Sequence, residues 1–392
     1  MKTWKKVTGV ALAGLMLAAL TAGCGGGAKK SADSAKEITV GASFELTGNV
    51  ANYGKSTLSG FKMAIDEVNK AGGISGKQIK VVESDNKSEP AEAGNAVTKI
   101  VTKDKVVAVV GPATSGCVSA ADPIVTGSKV PLIAPCATAP GVTVGKDGKA
   151  KQFIFRACFI DPFQGQVMAT FADKTLHVKK VAILYDSSSD YSKGLAQVFE
   201  ETLKKNGGQV VAKEAFLSKD IDFKAALTKI KATNPEAIYV PGYYEEVSKI
   251  VKQTRELGLN VPMLGSDGWD SPKLAEIAGG AALNNCYFSS AFSSDDKSES
   301  VQKFIKGYKD MYKKDPDVFA MQGYNAGLIL ADALKRAGTT DGTKLAAAIA
   351  ATKDLPVASG KLTFDQNHNP ITGAIVIAMK DGKQTFKEKI SL

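Results

Sequence analysis

Histidine is the scarcest chemically useful residue in this 392-residue chain, with only His177 and His368 present. Zinc chemistry and a serine–histidine triad therefore have little material to work with. Cysteine is nearly as rare, at five, and no two cysteines form a CxxC or a Cys/His cluster. With Cys24 set aside, Cys117, Cys136, Cys158 and Cys286 remain; they allow three pairings in an exported protein, and small buried thiols are their expected state. Long basic runs are missing too. Of the formal net charge of +10, residues 1–37 supply +4, and the rest of the chain intersperses 44 basic with 38 acidic residues. A solvated surface is expected, with no nucleic-acid partner.

Two catalytic or cofactor motifs are approached but not completed. Gly54-Lys55-Ser56-Thr57 has the end of a phosphate-binding loop, but the Gly required five residues before Gly54 is replaced by Asn49. Ser115-Gly116 lacks the surrounding GxSxG elbow and a nearby histidine, so acyl transfer is disfavoured. No cofactor and no enzymatic activity are expected.

The amino terminus carries an address. Lys2, Lys5 and Lys6 precede an apolar run from about Val7 to Leu20, closed by Thr21-Ala22-Gly23-Cys24. The run is short for a transmembrane helix and reads as a signal peptide over residues 1–23. Small residues ahead of Cys24 resemble a bacterial lipobox, which makes Cys24 the lipidated new terminus; the rival is plain secretion after cleavage near Ala22. Residues 24–37 have no apolar periodicity and read as a flexible tether.

About 355 residues then remain, more than one core usually holds, so two lobes are expected. Strands alternate with helices from Ile38 onward and again after Phe153-Ile154-Phe155-Arg156, which predicts an α/β protein with two doubly wound parallel sheets. From Asp296 three helical stretches follow (301–312, 320–336, 343–351) and are expected to return to the first lobe. Strands at 361–364, 374–379 and near Gln384 are expected on the second. Lobe 1 is thus read as 38–157 plus 291–360 and lobe 2 as 158–290 plus 361–392, joined by a hinge of three crossings.

The chemistry gathers where strands end. Val106 to Val110 is an apolar run closed by Gly111-Pro112, the pattern of a strand buried on both faces. Thr114, Ser115 and the N–H groups of the helix that follows make a seat for a carboxylate, unless the hydroxyl is only a helix cap. Leu132-Ile133-Ala134 opens likewise into Pro135-Cys136-Ala137-Thr138. Tyr53 is an aromatic poised over the strand ends. On the other lobe Tyr191, Tyr243, Tyr244 and Asp267 follow strands; Asp267 is either an acceptor for an ammonium group or a turn residue. Hydroxyls and N–H groups on one lobe, with a carboxylate and tyrosines on the other, suit a zwitterionic α-amino acid.

FELTGNVANYG, NKAGGISGKQIKVVESDN, VVGPATSG, LIAPCATAP, FRACFIDPFQG, YVPGYYEE and GSDGW together resemble the branched-chain amino-acid-binding proteins, type I periplasmic solute-binding components of ABC transporters. The resemblance covers 38–392. It implies a two-lobed binding protein for an amino acid, with Ser115 on the carboxylate, Cys136, Ala137 and Thr138 in the second turn, and Tyr191, Tyr243 and Asp267 on the second lobe. Tyr53 and Phe319 are implied as cleft aromatics. Leucine-binding members carry glutamate where this chain has Asp267. A disulfide typical of enteric members has no counterpart, because Asn86, Lys87 and Thr114 occupy that region. Permease subunits of an ABC transporter, a membrane reached through the lipid anchor, and a monomeric, exported state are implied as well. The alternatives are the same fold carrying an amide, urea or aromatic acid, and a ligand-sensing ectodomain.

Overall fold

The computed structural model describes residues 37–390. The signal peptide, Cys24 and the tether up to residue 36 lie outside the described residues. Five strands form the first sheet: β1 (Glu37–Phe44), β2 (Gln78–Asp85), β3 (Val109–Val110), β4 (Leu132–Ala134) and β5 (Ile154–Arg156). Their order is β2-β1-β3-β4-β5, and every pairing is parallel. Helices α1 (Ala51–Lys70), α2 (Pro90–Thr102) and α3 (Ser115–Ser128) make the crossovers. Such strands are covered on both faces, which is why β3 and β4 are apolar throughout and fully buried. Only Val109 and Val110 of the predicted 106–110 strand are in regular ladder, but Val107 N–H still bonds the Thr39 carbonyl at 2.9 Å.

The chain then crosses to a second unit through α4 (Asp161–Lys174). Here β6 (Lys180–Asp186), α5 (Asp190–Lys205), β7 (Gln209–Phe216), α6 (Lys224–Ala232), β8 (Ala237–Tyr239), α7 (Tyr244–Glu256), β9 (Met263–Gly265), α8 (Pro272–Ala278) and β10 (Cys286–Ser290) follow. Three helices come next, α9 (Glu299–Tyr312), α10 (Val318–Ala337) and α11 (Gly342–Ala350), and their buried faces join the core under the first sheet. A hairpin of β11 (Leu355–Val357) and β12 (Gly360–Leu362) precedes β13 (Ile375–Lys380) and β14 (Lys383–Lys389). The second sheet has the order β14-β13-β10-β9-β8-β6-β7; the β10–β13 and β13–β14 pairings are antiparallel and the rest are parallel. The molecule is therefore a two-lobed α/β protein with parallel-rich sheets.

One expected placement is corrected. Residues 361–364 do not join the second sheet: β12 pairs only with β11, and Leu362 and Phe364 are buried in the first lobe's core. An isolated apolar alternation of four residues carries no mark of which core it fills.

Helix α1 packs close against the loop after β1. A Cβ on Gly54 would stand 2.1 Å from the Glu45 carbonyl oxygen, so only glycine permits this approach. The Gly54–Thr57 stretch lies wholly within α1, with the Ser56 hydroxyl turned to Asp317 and that of Thr57 to the Tyr53 carbonyl at 2.8 Å, rather than forming a loop around a phosphate.

Candidate functional site

Parallel strands deliver their carboxyl ends to one edge, and the loops leaving those ends face each other across the two lobes. Between them lies a small, nearly closed cavity lined by Tyr53, Ala113, Thr114, Ser115, Cys136, Thr138, Tyr191, Tyr243, Asp267, Gly268 and Phe319. Eight of the nine residues singled out from the sequence line it. The exception is Ala137: its side chain is buried away from the cavity, and its carbonyl accepts Arg156 Nη1 at 2.9 Å.

On the first lobe the two turns are tied together. Ser115 Oγ accepts the Ala139 N–H at 3.2 Å, which leaves the Ser115 hydroxyl proton free to donate. The second turn is braced from behind by Arg156, fully buried, whose guanidinium donates to the carbonyls of Ala137 and Ala139 and to Thr143 Oγ1 at 2.8–3.0 Å. Thr114 is not the helix cap or ligand hydroxyl that the sequence allows. Its hydroxyl donates to Glu45 Oε1 at 2.8 Å, and α3 has no side-chain cap bond.

On the second lobe Asp267 is held by a network. Tyr191 donates to Asp267 Oδ1 at 2.7 Å, and Gln164 Nε2 donates to the same oxygen at 3.0 Å. Gln164 Oε1 in return accepts the Asp267 N–H at 3.0 Å and the Ser289 hydroxyl at 2.7 Å. Asp267 is therefore no free turn acid. Burial pushes its carboxyl up to about 6, the Tyr191 and Gln164 bonds offsetting part of that rise. The same burial raises the phenols of Tyr53, Tyr191 and Tyr243, which stay protonated donors at neutral pH.

Four aromatic rings form a chain from one lobe to the other. Tyr53 stacks on Phe319 at 4.2 Å and meets the edge of Tyr243 at 5.7 Å, while Tyr243 stacks on Tyr191 at 5.0 Å. The Tyr53 hydroxyl donates to the Gly268 carbonyl and accepts the Tyr244 N–H at 3.1 Å. Tyr244 itself does not line the cavity.

Sequence reasoning missed Gln164, Asp161 and Glu45. Asp161 is fully buried, its N–H bonds the Thr138 carbonyl at 3.0 Å, and neither carboxylate oxygen makes a hydrogen bond among the described residues. Burial drives its carboxyl well up, and the Asp267 charge adds to the rise. The signal was Asp161-Pro162-Phe163-Gln164: two polar residues three apart, on the turn that leads into the buried run Val167–Ala172. Cys117, Cys136, Cys158 and Cys286 are all buried free thiols, as expected, and Cys136 Sγ lies 3.5 Å from Thr57 Oγ1.

Residues 37–384 match the family described as periplasmic binding protein. A Leu/Ile/Val-binding protein of Rhizobium johnstonii is 32% identical over 336 residues, 84% of this chain and 88% of that protein. The branched-chain amino acid transporter substrate-binding protein of Streptococcus pneumoniae, solved with isoleucine, is 40% identical with a TM-score of 0.85, covering 90% of this chain and 99% of its own. A leucine-binding protein of Thermotoga maritima is 35% identical with the same TM-score and the same coverage. The cleft between two parallel sheets, the paired turns and the sequence likeness agree: the chain belongs to the periplasmic binding protein family.

Proposed function

We propose that this protein is the extracytoplasmic substrate-binding component of an ABC importer and captures a small aliphatic or branched-chain amino acid between its lobes. The observation that carries the reading is the polarity of the cavity. Ser115, Thr138 and the N–H groups of the first lobe's turns present donors, whereas the second lobe presents the buried carboxylate of Asp267. An α-amino acid brings a carboxylate to the first and an ammonium to the second. Tyr53, Tyr243, Phe319 and Ala113 are left to enclose an apolar side chain.

The lobes divide near residues 157 and 290 and after the β11–β12 hairpin, and these crossings act as the hinge for closure. The chain is a monomer, anchored through a lipid on Cys24, that delivers its ligand to permease subunits. Calorimetric titration with each of the common amino acids, benzoate and urea is the test. Isoleucine, leucine or valine should bind tightest and benzoate and urea not at all; tight binding of benzoate, or no binding of any amino acid, would overturn the reading. For the anchor, Cys24→Ser should move the protein from the membrane fraction to the soluble fraction with ligand affinity unchanged, and a variant still membrane-bound after a salt wash would refute it.

A further inference from the structure

Glu45 follows β1 directly and is fully buried, although nothing in the adjoining sequence calls for a charge there. Its carboxylate is satisfied by neutral donors from one turn. Glu45 Oε2 accepts the Ala113 N–H at 3.0 Å, and Oε1 accepts both the Thr114 N–H at 3.0 Å and the Thr114 hydroxyl at 2.8 Å. These are the last residues before α3 begins at Ser115, and Ala113, Thr114 and Ser115 all line the cavity.

A helix start normally draws its cap from its own chain, at the residue just before the first turn. Here that residue, Thr114, makes no cap bond, and its hydroxyl is turned outward to Glu45. The carboxylate thus works as a cap delivered from another strand, and charge-assisted bonds of this kind are about twice as strong as neutral ones. It also takes up the N–H groups of Ala113 and Thr114, so a ligand carboxylate is left with the Ser115 hydroxyl and the N–H groups further into the first turn. Behind Glu45, α1 closes the space through Gly54.

We propose that Glu45 is the positioning residue of the carboxylate-binding turn: it holds residues 112–115 so that the Ser115 hydroxyl and the first N–H groups of α3 face the ligand. This rests on the amino-acid reading of the cleft given above. Glu45 touches no ligand itself; it acts through Ser115.

The test combines a ligand-free measurement with a double-mutant cycle. Hydrogen exchange over residues 111–118 of the ligand-free protein should quicken in Glu45→Ala and less so in Glu45→Gln, with the rest of the chain exchanging like the parent. Exchange unchanged in that segment would overturn the proposal whether or not the protein binds amino acids. Isoleucine affinity, by calorimetry, should fall about tenfold in Glu45→Ala. Adding Glu45→Ala to Ser115→Ala should cost no more than about another twofold, because the two residues act as one unit. A full tenfold loss in the Ser115→Ala background, or none in the parent background, would refute action through Ser115. If Glu45→Ala does not fold, Glu45→Gln and Thr114→Val serve in both measurements. A parent protein that binds no amino acid would refute the function and leave the exchange result to decide on Glu45.

Discussion

Asp267 is buried beside a second acid, Asp161, and two donors, Tyr191 and Gln164, hold one of its oxygens. Removing its charge leaves a bound ammonium desolvated without a partner, which costs roughly 3–5 kcal/mol. Asp267→Asn should therefore lose at least about a hundredfold in affinity, while Asp267→Glu keeps part of it; calorimetry that finds Asn equal to the parent would remove the ammonium role. The same carboxyl makes a pH prediction. Its pKa is about 6 when folded against an ordinary 3.8, so between those values the folded chain holds a proton that the unfolded chain has released. Stability of the ligand-free protein should fall as pH rises through that window and level off above it. Affinity should move the other way, being about tenfold weaker at pH 5 than at pH 7 because the ammonium needs the ionised acid. A flat affinity between pH 5 and 7 in the parent would contradict this, and a flat profile is the expected result in Asp267→Asn.

These residues differ in how far the sequence exposes them. Ser115, Cys136, Thr138, Tyr191, Tyr243 and Asp267 were legible because each follows an apolar run, and the ends of parallel strands share one edge. Tyr53 was legible from its place at the start of a helix over the strand ends, although an aromatic there is as often core, and Phe319 rested on family likeness alone. Gln164, Asp161 and Glu45 were missed for a physical reason: a polar residue at the start of a helix or the end of a strand reads as solvated, and only long-range packing takes the water away.

Among elements, α1 and α10 approach each other closely at two glycines. A Cβ on Gly323 would lie 2.0 Å from the Thr57 carbonyl oxygen, and one on Gly60 would lie 1.8 Å from that of Ala320. The helices cross backbone to backbone, and this holds both Tyr53 and Phe319 at the cleft. Gly323→Ala must push the helices apart, at a cost of about 1–3 kcal/mol. Gly127→Ala in α3 meets nothing within 4 Å and should be neutral or slightly stabilising. Denaturant unfolding of the two variants checks the pair, and equal midpoints would contradict it. The three helices expected after Asp296 were readable from periodicity, and the structure moves their ends by no more than two residues, whereas α8 was not among the expected elements. The β11–β12 hairpin was not readable, because its strands are three residues each and the side on which they pack depends on long-range contacts.

At the scale of the molecule, a few polar contacts tie the lobes across the cleft. Asn49 Nδ2 donates to Glu246 Oε1 at 2.8 Å, Asp270 Oδ2 accepts the Val318 N–H at 3.3 Å, and Lys219 pairs with Glu89 at the surface. Exposed pairs of the last kind add little. A second buried tie, beside Asp270–Val318, is Tyr53, with one hydroxyl engaging the Gly268 carbonyl and the Tyr244 N–H. Tyr53→Phe keeps the stack on Phe319 and loses both bonds. Ligand dissociation should quicken about tenfold with little change in association, since tuning of affinity falls mainly on the off-rate. Stopped-flow release showing the parent rate would exclude a closing role for the hydroxyl.

Both of the atoms that Tyr53 grips on the far lobe belong to the main chain, and that has a use in engineering. Side chains at 115 and 138, which make no ring contact with Tyr53, can be exchanged to fit a new guest without altering the Gly268 carbonyl or the Tyr244 amide. Closure is thereby uncoupled from selectivity at those two positions. A pair of fluorophores placed at positions 89 and 219, on opposite rims, would then report any guest that a redesigned wall accepts, which makes this chain a scaffold for a small-molecule sensor.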